Sequence, residues 1–169
     1  MGTPEAYDST SFDPLELRRI FGHFPTGVTV VSAAPDGHPA GMTIGSFFSV
    51  SLEPPLVGFC VGKSSTSWPL IEGAGSFAIN ILGAEQAGLS NHFASSAADR
   101  FDEVAWHPGV TGSPLLDGVV AHIECQTDQK VDAGDHVLVV GRVVALTVHA
   151  GGAPLLFLGG RYGTFTEAL

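Results

Sequence analysis

Leu17, Ile20, Phe21 and Phe24 recur at helical spacing, and Asp13, Pro14 and Glu16 stand just ahead of them as cap, first helical residue and capping-box carboxylate. The spacing predicts a helix with one apolar face, ended by Pro25. Beyond it the pattern shifts to short β-branched or alternating stretches. Residues 28–31 open the first strand, Pro35-Asp36-Gly37 supplies a turn, and residues 41–50 return as its partner. Residues 56–61, 77–82, 119–127, 136–148 and 155–158 read as further strands, the stretch from His136 long enough to bend around a barrel. Two short helical patterns interrupt them. One carries Trp68, Leu70 and Ile71; the other runs over residues 84–94 with Leu89 and Phe93 on one side. Many strands with few short helices predict a mostly β protein built as a closed or partly closed barrel. With no repeat, linker or low-complexity run, residues 12–169 are expected to form one domain. Residues 1–11 are polar, lack a basic start and an apolar core, and read as a loose tail and not a signal peptide.

Composition refines this picture. Hydrophobic residues make up 44% of the 169 positions and charged residues only 14%. The uncharged run over residues 37–52 is broken by glycine, proline and hydroxyl residues and ends at Glu53, short of the roughly 20 apolar residues of a spanning helix. No membrane is expected, and the apolar surplus is assigned to a homodimer interface. Seven Lys and Arg against seventeen Asp and Glu give a net charge of −10, which repels a phosphate backbone and excludes nucleic acid as a partner. It also shortens the search for anion sites to Arg18, Arg19, Lys63, Arg100, Lys130, Arg142, Arg161, the histidines and backbone N–H groups. Cys60 and Cys125 show neither metal nor redox spacing and read as buried, reduced thiols of a cytoplasmic protein. The histidines lack ligand spacing, so no metal is expected. No Gly-x-Ser-x-Gly occurs, which leaves hydrolase chemistry unsupported.

Three blocks remain as candidates for chemistry. Residues 41–56 alternate small or hydroxyl residues with apolar ones, as a strand against a planar ligand would, with Thr43 and Ser46 as hydrogen-bonding groups. The plainer reading is an ordinary barrel strand with its polar side in water. Residues 60–67, Cys60-Val61-Gly62-Lys63-Ser64-Ser65-Thr66-Ser67, leave a strand and enter a helix, where free N–H groups, hydroxyls and one lysine suit a phosphate. A capped surface turn is the alternative, and the glycine spacing of a Walker loop is absent. Gly134-Asp135-His136 begins the long strand. Asp135 can hold the His136 imidazole in one tautomer, although spacing alone favours a turn with a solvated Asp and His.

Together these blocks resemble the flavin reductase family with the FMN-binding split barrel, the reductase partners of two-component monooxygenases. The resemblance runs from about Phe12 to Phe165. Its marks are Phe24-Pro25-Thr26-Gly27-Val28-Thr29-Val30-Val31, the 41–56 block, Lys63 to Ser67, Phe77 to Leu82, Leu89-Ser90-Asn91-His92-Phe93-Ala94, Asp99-Arg100-Phe101, Gly134-Asp135-His136 and Pro154-Leu155-Leu156, in the family's order. It implies a homodimeric, Greek-key type split barrel with flavin near the subunit boundary. By position, Gly41, Met42, Thr43, Ile44 and Ser46 resemble the isoalloxazine neighbours. Cys60, Val61, Gly62, Lys63, Thr66 and Ser67 resemble the ribityl and phosphate cradle. His92 and Phe93 match a pair that closes over the flavin, although some relatives carry arginine in place of His92. Asp135, His136, Phe157, Leu158, Gly159, Gly160 and Tyr162 resemble the nicotinamide side. The implied activity is hydride transfer from NADH, or NADPH, to FMN or FAD, with reduced flavin passed to a monooxygenase. The acidic chain leans toward NADH because it repels the additional phosphate of NADPH. An electron-carrying or flavin-storing protein would share the fold, and Gly134-Asp135-His136 favours the reductase over it. An oxidase of the pyridoxamine-phosphate type wants more basic residues than seven.

Overall fold

The computed structural model describes residues 12–95, 100–149 and 151–167; the tail expected over residues 1–11, and Asp99 of the Asp99-Arg100-Phe101 motif, lie outside them. The chain runs α1 (Pro14–Phe21), β1 (Thr26–Gly27), β2 (Thr29–Ala33), β3 (Ala40–Ile44), β4 (Phe48–Leu52), β5 (Pro55–Gly62), α2 (Trp68–Glu72) and β6 (Ser76–Ile81). It continues through α3 (Ala87–Ala94), β7 (Trp106–Pro108), β8 (Pro114–Leu116), β9 (Ala121–Ala133), β10 (His136–Val148), β11 (Leu155–Leu158) and β12 (Arg161–Thr164). Seven strands form one sheet in the order β3-β2-β6-β9-β10-β5-β4, with every neighbouring pair antiparallel.

The two edges of that sheet, β3 and β4, are consecutive in the chain. Only Gly45, Ser46 and Phe47 separate them, so the sheet must curl until its edges approach. The single strand expected over residues 41–50 therefore breaks at a corner. Ser46 holds the corner: its Oγ accepts from the Cys60 N–H and donates to the Cys60 carbonyl, both at 2.9 Å. A side chain thus replaces a rung of the ladder where the barrel is split. The paired strands β9 and β10 extend beyond the barrel as a long hairpin, so β9 runs six residues past the expected end at Thr127. No helix among the described residues is long and apolar enough to cross a membrane.

Inside the curl, Phe59 meets Trp68 and Phe77 edge to face, with ring centroids 5.9 and 5.4 Å apart. A second core, with Phe93, Phe101, Leu82, Leu116 and Leu155, fills the space under α3. Cys125 lies in the first core, where burial pushes its thiol pKa up to about 12 and leaves it an inert apolar filler. The start of α1 is built as its sequence requires, with the Asp13 carboxylate accepting from the Leu15 N–H at 3.0 Å. The helix stops at Phe21, earlier than expected, and Gly22 caps it. Its apolar residues Leu15, Ile20 and Phe21 find no core within the chain and remain exposed.

One buried polar cluster makes the fold pH-sensitive. His122 Nε2 lies 2.9 Å from the Leu116 carbonyl and its Nδ1 lies 3.0 Å from His149 Nε2. That arrangement uses the neutral ring, with the proton on Nε2 of His122. Burial lowers the His122 pKa from its ordinary 6.5, and His149 and His107 lower it further, against the opposing pull of the Leu116 carbonyl and Glu124. The unfolded chain therefore binds this proton before the folded one does. Stability is intact above pH 6.5 and is lost as the pH falls from there toward the depressed folded-state value. Thermal melts at steps between pH 7 and 5 will show this loss. His122→Gln, which keeps a donor toward Leu116 without a titrating ring, will flatten the slope; an unchanged slope refutes the assignment.

Candidate functional site

Antiparallel pairing of β5 with β10 sets His136 directly opposite Gly62. The end of one candidate block therefore abuts the start of another. The Lys63 N–H donates to the Asp135 carbonyl at 2.9 Å, tying the 62–67 loop to the Gly134-Asp135-His136 turn. Gly134 adopts a positive φ of 65°, which its missing side chain permits at the tight turn. Asp135 Oδ1 lies 2.7 Å from His136 Nδ1. The hydrogen bond from His136, and then its charge, hold the Asp135 carboxyl below the usual carboxylate range. With Nδ1 so engaged, the half-exposed His136 ring carries Nε2 over Gly62, 3.8 Å from where a β-carbon there would stand.

Beyond Gly62 the loop lines a cavity of about 320 Å³. Ser64, Ser65, Thr66 and Ser67 form one wall, Met42 and Thr43 of β3 another, and the end of α3 with Arg100 the third. The sequence brought Met42, Thr43, Thr66, Ser67 and Phe93 to this place. Ile44 and Val61 are nearby in the chain, but their side chains are buried in the barrel core, so only their backbone can meet a ligand. The hydroxyls of Thr43 and Ser46 are already committed. Thr43 Oγ1 donates to the Ser90 carbonyl at 2.7 Å, and both hydrogen-bonding roles of Ser46 go to Cys60. Gly41 is held small by a close approach: a β-carbon there would lie 2.9 Å from the Phe93 ring and 3.2 Å from Phe101. His92 supports the site from behind, with Nε2 2.7 Å from the Arg100 carbonyl.

One cation takes the place that the sequence gave to another. Lys63 pairs with Asp132 on β9 at 2.9 Å and does not line the cavity. Arg100 does. Its Nη1 donates to the Gly41 carbonyl at 2.8 Å and to Ser67 Oγ at 2.6 Å, while Nη2 reaches the Ser95 carbonyl. One guanidinium thus clamps β3, the start of α2 and the end of α3 around the cavity. Its Nε is buried without a hydrogen-bond partner, and the guanidinium brings a full positive charge to the cavity wall. The scarcity of cations had put Arg100 among seven candidates, but nothing local distinguished it. The residues present fit a phosphate-bearing ligand: four hydroxyl side chains, loop N–H groups and one half-buried guanidinium surround the space.

The remaining predicted residues lie on the β11–β12 hairpin. Gly159 and Gly160 have φ of 57° and 80°, a tight two-residue turn open to glycine. Phe157 packs edge to face on Tyr162, with centroids 5.2 Å apart. The Tyr162 hydroxyl lies 2.9 Å from both Ser90 Oγ and Asn91 Oδ1. Ser90 also accepts from Thr43, so a chain of hydrogen bonds connects the hairpin through α3 to β3.

Comparison with known proteins decides what such a site belongs to. A family model described as flavin reductase like domain matches residues 21–166. The chain belongs to the flavin reductase family. A flavin reductase of Pseudomonas putida is 46% identical over 157 residues, covering 92% of each chain. The reductase subunit of a flavin-dependent monooxygenase from Rhodococcus jostii is 41% identical over 93% of this chain and 80% of its own length. Among solved structures, the NADH:FAD oxidoreductase of Streptomyces globisporus, in complex with NAD and FAD fragments, superposes with a TM-score of 0.87 at 42% identity, over 96% of this chain and 97% of that one. The mostly β architecture of this flavin reductase is thus that of its solved relatives.

Proposed function

We propose that the protein is an NADH-dependent flavin reductase that supplies reduced FMN or FAD to a partner flavin-dependent monooxygenase. The observation that carries this reading is the pairing of Gly62 with His136, which sets the hydroxyl-lined cavity beside the Gly-Asp-His turn on one rim of the barrel. A flavin held there supplies the ring that accepts a hydride from the nicotinamide, and the chain supplies position and charge. Residues 64–67 and Arg100 hold the phosphate. The backbone of Gly41, Met42, Thr43, Ile44 and Ser46 orients the ring, with Cys60, Val61 and Gly62 along the ribityl chain. Asp135 fixes the His136 tautomer, and His136 with the hairpin residues Phe157, Leu158 and Tyr162 positions the nicotinamide. Hydride transfer requires no side-chain base, so His136 acts by placement.

Mixed anaerobically with NADH and free FMN or FAD, the protein will bleach the flavin absorbance near about 450 nm. Absence of bleaching with every flavin and nicotinamide pair refutes the reading. His136→Ala will raise the KM for NADH roughly 5- to 10-fold with little change for flavin, the loss of one charged or tautomer-fixed contact. Equal changes in both constants remove its assigned role.

A homodimer belongs to the same proposal. Leu52, Leu146 and Val148 are 92, 68 and 80% exposed, and the apolar face of α1 is likewise uncovered. An unpartnered surface of that kind is what an obligate interface supplies. Light scattering will return twice the mass of one chain, and Leu146→Asp will shift it toward the monomer; a wild-type monomer overturns the assignment.

A further inference from the structure

Ser90 and Asn91 on α3 line no part of the hydroxyl-lined cavity, yet both hold the same phenol. The Tyr162 hydroxyl lies 2.9 Å from Ser90 Oγ and donates to Asn91 Oδ1 at 2.9 Å. A phenol carries one proton, so with that proton given to Asn91 the Ser90 hydroxyl is the donor to the Tyr162 oxygen. Ser90 is wholly buried, and Tyr162 is half-buried on the β11–β12 hairpin. Among the described residues, these two bonds are the side-chain hydrogen bonds that join the hairpin to α3.

From α3 the connection continues to the flavin cavity at four points. The Ser90 carbonyl accepts from Thr43 Oγ1 at 2.7 Å. Phe93 packs against Gly41, where a β-carbon would lie 2.9 Å from its ring. His92 Nε2 lies 2.7 Å from the Arg100 carbonyl, and the carbonyl of the C-cap residue Ser95 accepts from the Arg100 guanidinium. An eight-residue helix is unstable by itself and takes its position from such ties. On one side α3 is braced against β3 and Arg100; on the other it is braced by a single phenol.

We propose that Ser90 is a positioning residue that couples the two ligands of the reaction. A nicotinamide on the hairpin holds the Tyr162 hydroxyl on Ser90 and Asn91, and α3 thereby fixes β3 and Arg100 around the flavin. The inference rests on the flavin reductase reading for the identity of the two ligands. Its bistable element is the phenol, docked on α3 or released to water. A nicotinamide stacked on Phe157 and Tyr162 shuts out the water that competes for the hydroxyl, and a hydrogen bond so secured is worth a factor of about 2–10. By linkage, flavin must then tighten the nicotinamide by the same factor.

FMN titrated into flavin-free protein, with and without saturating NAD+, reads the coupling as a ratio of two dissociation constants. The oxidised pair does not react, so both constants are equilibrium values. The wild type will bind FMN about three- to tenfold more tightly with NAD+ present, and the reverse titration will return the same ratio. Ser90→Ala touches neither ligand and keeps the carbonyl toward Thr43; it will bring the ratio below about 1.5. Tyr162→Phe, with its ring in place, will do the same. Asn91→Asp keeps an accepting oxygen and will retain most of the ratio. A merely structural role would weaken FMN equally in both titrations and leave the ratio unchanged. If a melt shows Ser90→Ala to be destabilised, Asn91→Ala, at an exposed position, takes its place and will at least halve the ratio. A wild-type ratio near one, or a ratio that survives in Tyr162→Phe or in the α3 variant, overturns the coupling. Where the wild type still reduces flavin with NADH, that result refutes the coupling alone; where it reduces no flavin with any nicotinamide, the reductase reading falls as well.

Discussion

Arg100→Met will weaken FMN binding by roughly 10- to 100-fold while leaving riboflavin binding nearly unchanged, the loss expected for charge-assisted hydrogen bonds to a phosphate. The contrast between the two ligands separates charge from scaffold. Riboflavin lacks the phosphate, so a merely loosened cavity would weaken both ligands alike. Arg100→Lys will recover part of the FMN affinity, since it restores the charge without the three-way clamp on Gly41, Ser67 and Ser95. Lys63→Ala provides the control that the sequence alone would have ranked first. Its ammonium is paired with Asp132 at 2.9 Å and its side chain is 45% exposed, so its effect on FMN should be several-fold smaller. Equilibrium titration followed by flavin fluorescence measures all three variants against the wild type. A larger loss for Lys63→Ala than for Arg100→Met reverses the assignment of the phosphate to Arg100.

Asn80→Leu will cost about 3 kcal/mol or more, a drop of roughly 6–12 °C in melting temperature for a chain of this size. Asn80 is wholly buried on β6, and its side chain serves three partners. Nδ2 donates to the Val30 carbonyl at 3.0 Å and to Ser32 Oγ at 2.8 Å, and Oδ1 accepts from the Leu116 N–H at 2.8 Å. Leucine matches the volume but strands buried polar groups on two other strands. Ser32 is itself tied to the Pro114 carbonyl, so β8 loses much of its attachment to the sheet. The same melt on Asn80→Asp tests whether the accepting oxygen toward Leu116 is the larger part. A fall of less than about 2 °C for Asn80→Leu would show that these bonds contribute little.

The long strand β10 was legible to the residue, because its apolar run begins at a glycine turn and ends just ahead of a Gly-Gly-Ala-Pro stretch. The N-cap of α1 was equally plain, since Asp13 and Pro14 act on neighbours within one helical turn. The corner between β3 and β4 was hidden. Residues 41–50 alternate throughout, and only the requirement that the barrel's edges meet bends them at Ser46. Strands β7 and β8 escaped notice because three residues each carry too little periodicity. They exist because a register of long-range pairs, and Asn80 reaching Leu116, hold them in place.

What the amino acids settled unaided was local and chemical. Alternation, turn glycines and hydroxyl runs act over a few residues, and they specified a mostly β chain, a hydroxyl loop after β5 and an Asp-His pair. Tertiary structure alone decided which cation serves which site. Arg100 and Lys63 carry the same charge, and no local pattern separates them. Arg100 meets Gly41 across 59 residues because α3 and β3 pack together; Lys63 meets Asp132 because β9 passes beside the loop. Spacing along a chain fixes the conformation of neighbours, whereas the partner of a long side chain is chosen by packing between segments far apart in sequence.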